Sequence, residues 1–129
     1  MARRPRGEDA SAVVDFVLVM VLVIPIALGV IQVGLVLHVR NTLTSAASEG
    51  ARYGATIDRS AADGVARTRQ AIRQGLSESY ARDVTARETR IDGVEAVVVE
   101  VRAGVPALGL FGPGVRLVVR GHAVREVLP

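Results

Sequence analysis

The stretch VVDFVLVMVLVIPIALGVIQVGLVLHV, residues 13–39, decides the fold of this chain. Its clearly polar side chains are those of Asp15, Gln32 and His38. An α-helix of this length extends about 40 Å at ~1.5 Å per residue, which exceeds the ~30 Å hydrocarbon core of a bilayer. We therefore predict a single transmembrane helix over residues 11–39, which crosses the bilayer once with tilt or overhang.

The charges before this helix set its expected orientation. Arg3, Arg4 and Arg6 precede it, which favours a cytoplasmic N-terminus by the positive-inside bias. A secretory signal peptide is the alternative, since the small residues at 45–47 offer a cleavage site. The apolar run is about twice the ~7–15 residues of a signal peptide. This favours a retained anchor in the cytoplasmic membrane, with the C-terminal domain extracytoplasmic.

The composition excludes several classes of function. The chain has no Cys, which excludes disulfides, thiolate catalysis and Cys-based metal sites. Aromatic residues make up 3% of it and the formal net charge is +3, so neither base stacking nor a basic footprint for nucleic acid is indicated. His38 and His122 have no metal ligand at suitable spacing, and no hydrolase, phosphate-loop or metalloprotease motif appears. We predict no enzyme activity, metal, cofactor or nucleic-acid partner.

The segment after the anchor, residues 40–57, is predicted to continue the helix beyond the membrane. Small residues recur in it at four-residue spacing and form two adjacent stripes, which would let another helix approach closely. Glu49 and Arg52, three positions apart, are placed to pair along the same helix. The predicted packing face consists of Ala46, Ala47, Gly50, Ala51, Gly54 and Ala55.

Residues 58–129 are predicted to form a small α+β domain. Over residues 61–81 the side chains of Val65, Ile72, Leu76 and Tyr80 recur near one face, interleaved with charged residues. This spacing indicates a second, amphipathic helix with ordinary core contacts.

Two Val-rich runs, residues 94–102 and 115–124, alternate apolar and polar side chains. They are typical of half-buried strands in an antiparallel ribbon or small sheet. An acidic cluster near the start of the first run is interpreted as part of a linker. The residues predicted to point inward are Val97, Val99, Val101, Val115, Leu117 and Val119. The opposite, solvent-facing side (the wet face) carries Arg116, Arg120 and His122. The acidic cluster consists of Asp83, Glu88, Asp92 and Glu95.

The connection between these runs, residues 103–114, is richer in apolar residues than a solvated turn requires. It could fold over the domain, touch the membrane surface or meet a partner, and intramolecular packing is our default. Its apolar residues are Val105, Leu108, Leu110 and Phe111.

Asp15 stands where the anchor begins, and the simplest interpretation is an interfacial acid that reaches water. Residues 11–16 (SAVVDF), after the basic leader of residues 1–10, resemble a prepilin-type processing site. The resemblance implies cleavage between Ala10 and Ser11 by a prepilin peptidase, although Ala10 and Asp15 replace the usual Gly and Glu. The new Ser11 amine could then pair with Asp15 of a neighbouring subunit and set the axial register of packed helices.

The segment beyond the anchor makes the resemblance specific. Residues 40–41 (RN), 46–47 (AA) and 49–53 (EGARY), just after an N-terminal anchor, look like those of TadE-like proteins. These resemble minor pilins, or pseudopilins, of the tight-adherence (Flp, type IVc) pilus machinery. The likeness extends over roughly residues 11–55. It implies that the partners are other pilin or minor pilin subunits, the Tad pilus membrane platform, a prepilin peptidase and the lipid bilayer.

The leading hypothesis is thus a minor pilin-like subunit that primes, caps or joins a pilus or related secretion fibre through lateral helix packing. The alternative is a single-pass sensor or regulatory protein whose outer domain binds a ligand. That alternative needs a second protein to carry the signal across the membrane. A membrane-tethered enzyme is third, since the sequence shows no convergent catalytic residues.

Overall fold

The computed structural model describes residues 6–107 and 114–127. A long helix is followed by a short helix and a three-stranded antiparallel sheet, which confirms the predicted α+β class. The elements in chain order are α1 (Arg6–Gly54), α2 (Ala61–Gly75), a 3-10 helix (Glu78–Ala81), β1 (Asp83–Ile91), β2 (Val94–Val105) and β3 (Val115–Val124).

The two parts of α1 have different surroundings. Residues 13–31 are apolar except for Asp15, and almost all of their side chains are exposed. Further along, Leu35 and Val36 are partly buried against the domain, and Val39 and Leu43 are only 1% and 0% exposed. The second part of α1, from Leu35 to Gly54, is therefore a core element of the domain.

A capping box begins α2. The Ser60 hydroxyl accepts the Asp63 N–H at 3.3 Å, and the Asp63 carboxylate accepts the Ser60 N–H at 2.8 Å. The predicted helix over residues 61–81 is wrong in its last part, since α2 ends at Gly75 and residues 78–81 form a separate 3-10 helix. Gly is a poor helix former, and the chain after it becomes extended.

The sheet has the strand order β1-β2-β3, with both neighbouring pairs antiparallel. Both predicted runs are strands, and β2 continues as far as Val105. The prediction that the acidic cluster lies in a linker is wrong, because Asp83 and Glu88 lie within β1. Asp92 and Gly93 form a two-residue turn between β1 and β2, and their φ angles of 52° and 81° are those of a tight hairpin.

The hydrophobic core lies between the second part of α1, the inner face of the sheet and α2. The inward direction predicted for the strand residues is confirmed, except that Val115 at the end of β3 is 40% exposed. Ile72 is fully buried, and the partly buried Val65, Leu76 and Tyr80 pack against the same cluster. The largest fully buried apolar side chains are those of Val39, Leu43, Ile72, Val97, Val99, Val101 and Val105.

The predicted connection over residues 103–114 is shorter in the structure. Ala103, Gly104 and the fully buried Val105 belong to β2, which pairs with β3 as far as Val115. The remaining apolar residues of this segment, Leu108, Leu110 and Phe111, lie outside the described residues.

The strand β3 crosses α1 at Gly121, where the two backbones approach closely. A Cβ atom at this position would lie 2.6 Å from the Ala47 carbonyl oxygen and would overlap the peptide that joins Ala47 to Ser48. Backbone atoms cannot move aside as a flexible side chain can, so the contact requires glycine.

Replacing this glycine tests the crossing. We expect Gly121→Ala to destabilise the fold by about 1–3 kcal/mol, because the added methyl group must displace the α1 backbone. Gly104→Ala is the matched control, since a Cβ there meets nothing within 4 Å. It should change the free energy of unfolding by less than about 0.5 kcal/mol. Unfolding of the full chain in detergent measures both, and equal stability of the two variants would contradict the packing of β3 on α1.

Candidate functional site

The first part of α1 presents apolar surface on all sides. Its most apolar 18-residue window has a mean hydropathy of 2.8, and none of that window is buried. Pro25 lies within the helix, which continues on both sides of it, and Gly29 and Gly34 have open space beside them. Among the described residues, α1 is the one helix whose length and composition allow it to cross a membrane.

The residues of the predicted processing site lie at the start of α1. Ala10, Ser11 and Asp15 are all helical and exposed. Ser11 and Asp15 are one helical turn apart, so their side chains share a face of the helix. The register contact involves a neighbouring subunit and the cleavage a peptidase, so both stay predictions.

The small-residue face lies inside the chain, between α1 and its own α2 and β3. Gly50 and Gly54 contact Gly64 of α2, and a Cβ on Gly64 would lie 2.9 Å from the Gly50 carbonyl oxygen. On the adjacent stripe, Ala47 lies against Gly121 of β3. These contacts bring together elements of one chain and leave little of the face for a neighbour. All six residues are buried: Ala46, Ala47, Gly50, Ala51, Gly54 and Ala55.

Two residues of α2 that the sequence patterns do not single out complete this contact. Gly64 lets the helix axes approach, and Thr68 is fully buried one turn later. The Thr68 hydroxyl donates to the Gly64 carbonyl at 2.7 Å, which satisfies its hydrogen-bonding need within α2. The sequence does contain a signal for the role of Gly64, since a small residue in α2 is what a small-residue stripe on α1 would pack against. Nothing in the sequence marks Thr68 as a contact residue.

Glu49 joins the two helices. Its Oε1 atom accepts Arg67 Nε at 3.1 Å and Arg67 Nη2 at 2.7 Å. The predicted pair with Arg52 is therefore wrong, because a guanidinium from α2 provides two donors to the same oxygen. The guanidinium carbons of Arg59 and Arg67 also lie 4.6 and 5.8 Å from the centre of the Tyr53 ring. These contacts hold the C-terminal end of α1 against α2 and the residues just before it.

The outer face of the sheet carries an ion cluster centred on Glu100. Its two carboxylate oxygens accept Arg102 Nε at 2.8 Å and Arg120 Nε at 3.1 Å. These hydrogen bonds hold the pKa of Glu100 below its ordinary value near 4.5, and the bond from Arg102 has the larger effect. Arg116, Arg120 and His122 are all exposed, which confirms the predicted wet face.

Over residues 6–107 and 114–127, no three His, Asp or Glu side chains are grouped so that they could hold a metal ion. His38 is exposed on α1 and His122 is exposed on β3. The feature that the described residues offer is a packing surface along α1.

Comparison with known proteins agrees with this description. Residues 10–52 match the family model described as TadE-like protein, which confirms the resemblance over the apolar run and over the small-residue face as far as Ala51. No curated protein and no solved structure matches the chain. The matched residues contain the apolar first part of α1, whose length and composition allow it to cross a membrane.

The Glu100 cluster makes stability depend on pH in a defined direction. Because its folded pKa is lowered, Glu100 contributes stability that is present above its ordinary value near 4.5 and is lost as the pH falls through the folded pKa. The unfolding temperature of the full chain in detergent should therefore fall more between about pH 6 and about pH 3 than that of Glu100→Gln. Glu95→Gln, at an exposed carboxylate with no ion pair to a described residue, should follow the unmodified chain. Identical pH profiles for all three proteins would exclude this role of Glu100.

Proposed function

We propose that this chain, whose residues 10–52 match the TadE-like family, is a minor pilin-like membrane subunit. It takes part in assembly, priming or capping of a Flp (type IVc) pilus or a related secretion fibre. The observation that carries the proposal is α1, one helix with an exposed apolar first part and a second part in the domain core. Such a helix can pack beside other subunits and carry its domain rigidly. The role is structural and not enzymatic.

We place the bilayer around residues 13–31, with the N-terminus cytoplasmic and the domain extracytoplasmic. A helix of this length extends about 28 Å, close to the ~30 Å hydrocarbon core. The following turns are occupied by the domain: Gln32 Nε2 donates to the Pro106 carbonyl at 3.1 Å, and Leu35 packs against the core. These contacts favour an outer boundary earlier than the one expected for residues 11–39.

Lateral contacts with other pilin subunits are assigned to the anchor. The small-residue face is covered by α2 and β3, whereas residues 13–31 keep almost all their side chains exposed. Within that stretch a Cβ added to Gly29 would meet nothing within 4 Å, which leaves room for a second helix to approach. The proposed partners are other pilin or minor pilin subunits, the Tad membrane platform and the surrounding lipid.

Asp15 is proposed to set the axial register of this packing. A carboxylate at the bilayer centre costs roughly 2.5–3.5 kcal/mol on insertion scales, and less near the edge where Asp15 lies. Cleavage between Ala10 and Ser11 would create an amine that can neutralise the carboxylate of a neighbouring subunit. The pair would form only at one axial offset, so it favours one arrangement of the helices over others.

Processing is tested by mass analysis of the full chain extracted from membranes, with and without an active prepilin peptidase. With the peptidase we expect the mass to correspond to a new N-terminus at Ser11. Ala10→Gly, which restores the family's usual residue, should raise the processed fraction, and Ala10→Leu should lower it. An intact Met1, in cells where the peptidase processes another substrate, would exclude the cleavage step.

The role of Asp15 is tested by complementation of a strain that lacks this subunit. Asp15→Ala should reduce fibre assembly at least tenfold, because the loss of an ion pair that contributes ~1.4 kcal/mol changes an equilibrium constant tenfold. Asp15→Glu should retain assembly, because it keeps the carboxylate. Asp9→Ala is the control for loss of an acid outside the anchor. Equal protein levels must be shown by immunoblot, and full assembly with Asp15→Ala would show that the acid is dispensable.

A further inference from the structure

The end of the sheet nearest the anchor lies beside the start of the domain-bound part of α1. Pro106, directly after β2, accepts a hydrogen bond from Gln32 at 3.1 Å. Gly104 precedes Pro106 by two residues, about 7 Å along an extended chain. In the sheet Gly104 is the partner of Arg116. This part of the outer sheet face is therefore close to the level of Gln32, where α1 first contacts the domain.

A groove of about 500 Å³ opens on the outer face at this end of the sheet. Arg102 and Arg116 line it, with Gly104 between them on the same face, and Asp83, the cross-strand partner of Arg102, lines it too. A Cβ at Gly104 would meet nothing within 4 Å, so an incoming group can reach the backbone there. The groove is open, and the side chains of Ala103, Leu117 and Val118 also line it, so two guanidinium groups flank a partly apolar floor.

The charges in this groove leave capacity for an anion. Arg102 binds Glu100 through its Nε atom, which leaves the two terminal nitrogens of the guanidinium for a further acceptor. Arg116 has no ion pair with any of the described residues. Two carboxylates oppose anion binding, Asp83 in the groove and Glu100 beside it. Arg120 shares Glu100 with Arg102, so three guanidinium groups stand against two carboxylates. Planar guanidinium groups favour phosphate oxygens, which they can contact with two parallel hydrogen bonds.

We propose that Arg102, Arg116 and the backbone at Gly104 form a binding site for a phosphate-bearing anion, either a phospholipid headgroup or a soluble phosphate. If the bilayer spans residues 13–31, the site lies within about one Debye length, ~8 Å, of the membrane surface. Headgroup phosphates are then the nearest source. The site would fix the rotation of the domain relative to the membrane, and it does not require that the chain enters a fibre.

The experiment uses the isotope-labelled full chain in lipid nanodiscs, with NMR of the Gly104 amide and the arginine Nε–H groups. One arm replaces phosphatidylcholine stepwise with phosphatidylglycerol, and the other adds inorganic phosphate to phosphatidylcholine discs. Arg102→Gln and Arg116→Gln are combined in the test variant. Arg87→Gln, another exposed arginine on the outer face but nearer the far end of the sheet, is the control. Core amides such as that of Val99 report whether each variant is folded.

A saturable shift at Gly104 with phosphatidylglycerol alone supports the site and assigns it to lipid. A shift with inorganic phosphate supports the site and assigns a soluble source. In either case the half-saturating concentration should rise about fivefold for each arginine removed, and Arg87→Gln should leave it unchanged. The proposal is overturned if Gly104 shifts in neither arm, or if the double variant and the Arg87 control respond as the unmodified chain does.

Discussion

Packing of the second part of α1 between α2 and the sheet determines the rest of the structure. A domain of this size buries too little apolar surface to be stable with a shallow core, and α1 supplies a complete helix face to it. Val39, Leu43, Ala47 and Ala51 of that face are almost fully buried. The same helix continues without a break into the exposed apolar part, so that part is joined directly to the core of the domain.

Small residues allow α1 to pack closely against both α2 and the sheet. Gly50 and Gly54 admit α2 through Gly64, while Ala47 admits β3 through Gly121. Close backbone approach increases the number of van der Waals contacts for a given helix length, so a short α2 and a three-stranded sheet are sufficient. The apolar first part of α1 remains exposed. The chain can thus present the apolar first part of α1 without exposing its core.

The sequence predicts those elements whose pattern has one physical explanation. The apolar run requires a long helix, and the alternation of Val97, Val99 and Val101 requires a half-buried strand. β1 escapes prediction because it is an edge strand that buries little beyond Val84, and Glu88 occupies an inward position in the register. The spacing of the small residues predicts a close partner, but spacing cannot tell whether that partner is another subunit or, as found, α2 and β3.

The absence of Cys allows single cysteines to be introduced for spin labelling of the full chain in lipid. Accessibility to oxygen and to a water-soluble nickel complex would be compared at Leu22, Leu37 and Val39, whose side chains are 68%, 53% and 1% exposed. We expect that oxygen reaches Leu22, the nickel complex reaches Leu37, and neither reaches Val39. Oxygen access at Leu37 and Val39 equal to that at Leu22 would contradict the passage of α1 from the bilayer into the core of the domain.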